Sequence, residues 1–280
     1  QQYSHDFAGA IASLKRASEI DSGAVDPVAW RAAIHMVQAQ YALAAAECDQ
    51  LARMAQPLFA QGCTAYVRGT TGQLIPAYDM LSKAVAAGKD VPPELMLWVQ
   101  TRLAEMAVRL QRWGDAERHY RAALAPGITD QFLLGSFADF LLQRERAPEV
   151  LQLLAGWERS DILLLRLALA GRAARDPRAG DWESQLRERF QAAARRGDRL
   201  HEQEAARWAL EIENDPARAL EHARSNYTRQ KEPRDAEMLL RAALAARQPA
   251  AAQPALEWWK ESGYEDPVMQ ALALKLGASR

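Results

Sequence analysis

The chain has 280 residues, 49% hydrophobic and 25% charged, with a formal net charge of −1. This composition fits a folded protein rather than a disordered one, and it lacks the basic surplus of general nucleic-acid or anionic-membrane binders. The most apolar run, Ile162 to Gly171, is broken by Arg166. It falls far short of the roughly 20 residues a bilayer-crossing helix needs, so it reads as a buried helix and direct membrane insertion is not expected.

In chain order, the stretch FAGAIASLKRASEID from Phe7 reads as a helix with a small-residue face. Pro27, after Asp26 as a candidate N-cap, opens a second helix, and Pro57 opens another. Between them lies an apolar stripe of Ala44, Cys48 and Leu51, and beyond Pro57 a stripe of Phe59, Cys63 and Tyr66. A spacer, AAGKDVPPEL, precedes the clearest unit, Leu97 to Leu124, which reads as two helices folded back at Arg112–Gly114. Its first helix carries Leu97, Leu103, Ala104, Ala107 and Leu110 on one face, and its second carries Ala116, Tyr120, Ala123 and Leu124. Further on, RDPRAG from Arg175 reads as the softest joint, and DPVMQALALKLG from Asp266 as a closing helix stopped by Gly277.

A helical pair of this kind cannot bury its apolar face alone and needs neighbours like itself. They are present. Small or kinked residues recur early in each second helix at Ala10, Ala44, Ala77, Ala116, Val150, Gln185, Ala219 and Pro254, in steps of 34, 33, 39, 34, 35, 34 and 35. A larger residue often follows four positions later, as at Leu14, Leu81, Tyr120, Leu154 and Trp258. Pro76, Pro148, Pro216 and Pro254 fall within three residues of an anchor, in the first turn where proline costs no helical hydrogen bond.

With a period near 34 and paired helices, the sequence resembles the tetratricopeptide repeat family. Phe7–Asp21 is similar to the second half of such a repeat, and Trp113, Ala116, Tyr120 and Ala123 stand at the family's spacing. The unit around Gln185 departs from it, with polar Gln185 and Arg189 where small and large apolar residues are expected. The resemblance implies an all-α solenoid of stacked antiparallel helix pairs over the whole chain. The units expected are 1–25, 26–56, 57–91, 92–128, 129–160, 161–198, 199–233 and 234–265, followed by a capping helix at 266–277. The first unit holds only a second helix, so its partner is expected to be missing or removed.

Cys48 and Cys63 lie level across the expected hairpin around Ala55–Pro57, on apolar stripes of adjacent helices. Facing cysteines so placed can reach the separation a disulfide prefers; two buried free thiols are the alternative. A bridge predicts an oxidising compartment, periplasmic or extracellular, and the start at Gln1 without Met fits a chain whose leader has been removed. The abundance of Arg over Lys and of Ala fits a bacterial source.

No chemistry-bearing pattern emerges. The five histidines His5, His35, His119, His201 and His222 have no metal-pair spacing, His201 opens HEQEA rather than HExxH, and there is no phosphate-binding or nucleophile-elbow motif. No catalytic residue, metal or cofactor is expected. Of the adjacent Trp258 and Trp259, one is expected to pack and the other to stay partly exposed, because neighbours on a helix point about 100° apart.

Members of the resembled family use the concave face lined by first helices to hold a peptide or a partner's helix. The residues expected on that face are Glu105, Arg109, Asp139, Gln143, Glu204 and Trp208. The expected function is therefore a non-catalytic protein-interaction scaffold in a bacterial envelope. The alternatives are a cytosolic adaptor of the same fold, which free cysteines would favour, and the helical part of an envelope enzyme.

Overall fold

The computed structural model describes residues 1, 5–198 and 201–278. Among them are sixteen α-helices packed in consecutive pairs, as the repeat phasing requires. Helix α1 (Phe7–Ile20) comes first, followed by α2 (Val25–Val37) with α3 (Tyr41–Met54), α4 (Pro57–Thr70) with α5 (Leu74–Ala87), and α6 (Pro93–Arg109) with α7 (Trp113–Leu124). Then come α8 (Gln131–Gln143) with α9 (Ala147–Leu153), α10 (Asp161–Ala174) with α11 (Ala179–Arg195), and α12 (Glu202–Glu211) with α13 (Pro216–Tyr227). Helix α14 (Pro233–Ala245) pairs with α15 (Gln253–Ser262), and α16 (Pro267–Lys275) closes the array. The start expected for the seventh unit, residue 199, lies outside the described residues.

The helix starts are encoded locally. Asp6, Asp130, Ser160, Asp215 and Asp266 each accept a hydrogen bond from a first-turn amide, and Glu232 with Asp235 forms a reciprocal capping box on α14. Asp26 does not cap: α2 already begins at Val25, so Asp26 sits inside the first turn, where its charge complements the helix dipole. The pair turns share one device. Ala39, Gly72, Gln111, Glu145, Arg175, Asn214 and Arg247 all adopt positive φ at the junction between first and second helices. The residue after each donates back over the helix end, as Gln40 does to the His35 carbonyl and Arg112 to that of Ala107. RDPRAG is one of these turns, pinned by Arg178 on the Asp176 carboxylate, and not a soft joint.

The buried anchors Ala44, Ala77, Ala116, Val150 and Ala219 let second helices approach their partners closely. In the sixth unit the buried stripe is displaced by one residue from the expected register: Trp182, Leu186 and Phe190 are buried, while Gln185 and Arg189 face outward enough to bind each other and Asp161. In the eighth, Ala252 and Ala255 are buried and Pro254 is exposed. Trp258 and Trp259 are both core residues, 6% and 2% exposed, because α15 is covered on two sides. Trp98 packs on Phe59 and on Gly62, where any Cβ would collide with the indole.

The second covering side comes from the far end of the chain. The superhelix turns back on itself, so that its last repeats meet α2–α5. The Lys231 amide donates to the Val37 carbonyl at 2.8 Å, and Trp258 Nε1 donates to the Tyr41 hydroxyl at 2.8 Å. Gly72 and Gly263, both at positive φ, touch backbone to backbone, and a Cβ on Gly72 would press on the Gly263 carbonyl oxygen at 3.3 Å. Ala39 and Tyr41 join the apolar cluster of the last repeats.

Candidate functional site

The inner face of the superhelix is where the expected partner-binding residues were assigned, and there the closed array meets itself. Arg109, at the end of α6, acts as a clasp. Its Nη2 donates to the Gly69 carbonyl at 2.6 Å, its Nε donates to the Glu265 carbonyl at 2.8 Å, and its guanidinium lies 3.8 Å from the Tyr264 ring centre. Glu265 completes the clasp by accepting from the Leu74 amide at 2.6 Å, capping α5 from 191 residues away.

Deeper along the inner face, charge is neutralised inside the chain. Asp139 of α8 accepts from Arg166 at 2.7 Å and from Arg207 at 2.6 Å. Burial by itself would raise the Asp139 pKa, but these two guanidinium groups hold it down to about 2. Arg207 also pairs with Glu211, and Glu211 with Arg241, so the network runs across α8, α10, α12 and α14. Glu105 pairs with Arg102 at 2.8 Å, and burial raises its pKa against the pull of that partner. The Arg102 guanidinium stacks on Tyr66 and Phe132, at 4.4 and 4.6 Å from the ring centres.

The six expected groove residues therefore have different fates. Glu105, Arg109 and Asp139 face the interior but are engaged by other groups of the same chain. Glu204 is buried, with His201 at 4.0 Å. Gln143 is exposed at the end of α8. Trp208 is only 1% exposed and packs on Phe190, so it is a core residue and not part of a groove surface. Two physical reasons apply: Trp208 is covered by the neighbouring pair through Phe190, and Arg109 is engaged by the last repeats because the array bends back on itself.

Cys48 and Cys63 are joined by a disulfide with a Cα–Cα distance of 5.5 Å, bridging α3 and α4. Among the described residues no cluster of three or more His, Cys, Asp or Glu could hold a metal ion, and no helix is long and apolar enough to cross a membrane. His119 is held as a neutral ring, its Nδ1 2.6 Å from Gln100 Oε1 and its Nε2 3.1 Å from the Tyr78 hydroxyl, with burial lowering its pKa to about 4. Sequence reasoning missed Tyr41, Tyr264, Glu265 and Gly263, which make the closure. The only local sign was the turn-forming GYEDP segment from Gly263.

No protein-family model matches the sequence, and a search of curated proteins finds no match. Among solved structures, the chain is similar to a tetratricopeptide repeat protein from Parabacteroides merdae ATCC 43184, with a TM-score of 0.50 and 14% identity over 91% of this chain and 99% of that one. Together with the paired helices and their recurring turns, this gives the chain the fold of a tetratricopeptide-repeat-like superhelix.

Proposed function

We propose that the chain is a non-catalytic protein-interaction scaffold that works in an oxidising compartment, the bacterial periplasm or the cell exterior. The observation that carries the scaffold reading is the repeat superhelix itself, whose inner carboxylates are spent on arginine partners rather than isolated for acid–base work. The Cys48–Cys63 bridge supports the compartment, since structural disulfides persist where thiols are not kept reduced. The repeat units are those of the sequence phasing, each after the first pairing a first helix on the inner side with a second helix on the outer.

Two measurements test this reading. Cross-linking capture from the native extract, with cross-linked peptides mapped onto the chain, is expected to recover a protein partner contacting the helical array. Recovery of none would count against a scaffold. Alkylation of the native protein without reductant is expected to label no cysteine. Two reactive thiols would remove the oxidising compartment and leave a cytosolic adaptor of the same fold.

A further inference from the structure

Closure of the superhelix creates a cleft that no single repeat contains. It lies at the seam between the turns of α2–α3 and α4–α5 and the ends of α13 and α15, with a volume of about 850 Å³. That is within the usual 300–1,000 Å³ of ligand-binding clefts. Aromatic and apolar side chains, Tyr41, Tyr227, Leu239 and Trp258, form part of its lining among polar ones. Tyr227 is 4% exposed, and its buried hydroxyl has no hydrogen-bond partner among the described residues.

The rim is charged with both signs. Arg224, at the end of α13, and Lys231, just beyond it, supply cations; Glu257 and Glu261, one turn apart on α15, supply carboxylates. All four are exposed. Arg224, Lys231 and Glu261 form no ion pair among the described residues, and Glu257 accepts only from its neighbour Gln253. This differs from the inner face, where arginines and carboxylates satisfy one another. Apolar side chains between unspent charges of opposite sign match the anatomy of a recognition site, with a buried centre and a polar rim.

We propose that the seam cleft binds an extended peptide segment of a protein partner, with an apolar side chain against Tyr41 and Trp258, an acidic residue toward Arg224 and Lys231, and a basic residue toward Glu257 and Glu261. The proposal rests on the scaffold reading and adds to it a place and a partner chemistry. An extended backbone also offers the carbonyls and amides that Gln38, lining the cleft, can bond. Because the cleft is walled by both ends of the array, its occupant ties them together and stabilises the closed form by mass action.

The test uses the full chain and a displayed library of random linear dodecapeptides. An enriched peptide is synthesised and titrated by fluorescence anisotropy against the wild type, against Arg224→Glu with Lys231→Glu, and against Glu257→Lys with Glu261→Lys. These side chains are exposed, so each variant is expected to keep the wild-type Tm. Each reversal is expected to weaken binding tenfold or more, inversion of the matching peptide charge to restore it, and the peptide to raise the wild-type Tm. A peptide whose affinity moves in neither variant overturns the cleft while leaving the scaffold reading intact. A library yielding no enriched peptide overturns the peptide chemistry, and the scaffold reading then stands or falls on partner capture alone.

Discussion

Arg109→Ala is the sharpest perturbation of the closed superhelix. The guanidinium donates at 2.6 and 2.8 Å to the Gly69 and Glu265 carbonyls, and it covers Tyr264 at 3.8 Å. Hydrogen bonds to charged groups contribute about 1.5–3 kcal/mol each, and a stacked cation about 0.5–2 kcal/mol. All three contacts belong to one side chain and do not add, and water reaches part of the site once the arginine is gone. The expected loss is therefore about 3–4 kcal/mol. Arg109→Lys is expected to recover less than half, because a compact ammonium cannot bridge two carbonyls and stack on a ring at once. Urea unfolding gives the free energy, and small-angle scattering gives the shape: the alanine variant should show a larger radius of gyration as the last repeats leave α2–α5. A loss below about 1 kcal/mol with an unchanged scattering profile would refute the clasp and show that apolar contacts alone hold the seam.

Four further outcomes are expected. Tyr120→Ala, removing a ring stacked on Phe137 at 4.9 Å and a hydroxyl bonded to Ser136 at 2.7 Å, should cost about 3–5 kcal/mol in urea titration. Replacing Cys48 and Cys63 together by Ala opens a cross-link across a sequence separation of 15. It should remove about 3 kcal/mol on the chain-entropy account, read as a lower Tm. Gln111→Gly should stabilise by roughly 0.5–1 kcal/mol, since Gln111 stands at φ 57 and glycine relieves that strain at some entropic cost. His119 has a lowered folded pKa, so the stability it brings is present above about pH 6.5 and is lost as pH falls toward 4. His119→Gln should flatten the urea midpoint across that window.

The sequence by itself determined the repeat. Alanines at Ala44, Ala77 and Ala116 and prolines in first turns are local signals, each read within a few residues of where it acts. The disulfide was legible for the same reason: Cys48 and Cys63 are close along the chain and level across one hairpin. The pair turns were not, because the position at positive φ is held by Ala, Gly, Gln, Glu, Arg or Asn, and geometry recurs there without a recurring residue. The register at Gln185 slipped because α11 buries Leu186 and Phe190, a stripe displaced by one residue.

Only the tertiary structure decided what the inner face does. Small rotations between successive pairs accumulate, and whether the total leaves an open groove or brings the ends together depends on every interface at once. Here they meet, so Arg109 is a clasp and Trp258 a core residue hydrogen-bonded to Tyr41 at 2.8 Å across a separation of 217 residues. A periodic pattern specifies the faces by which neighbours pack. It carries no term for contacts between repeats that become neighbours only after a full turn, and those contacts set the function of this surface.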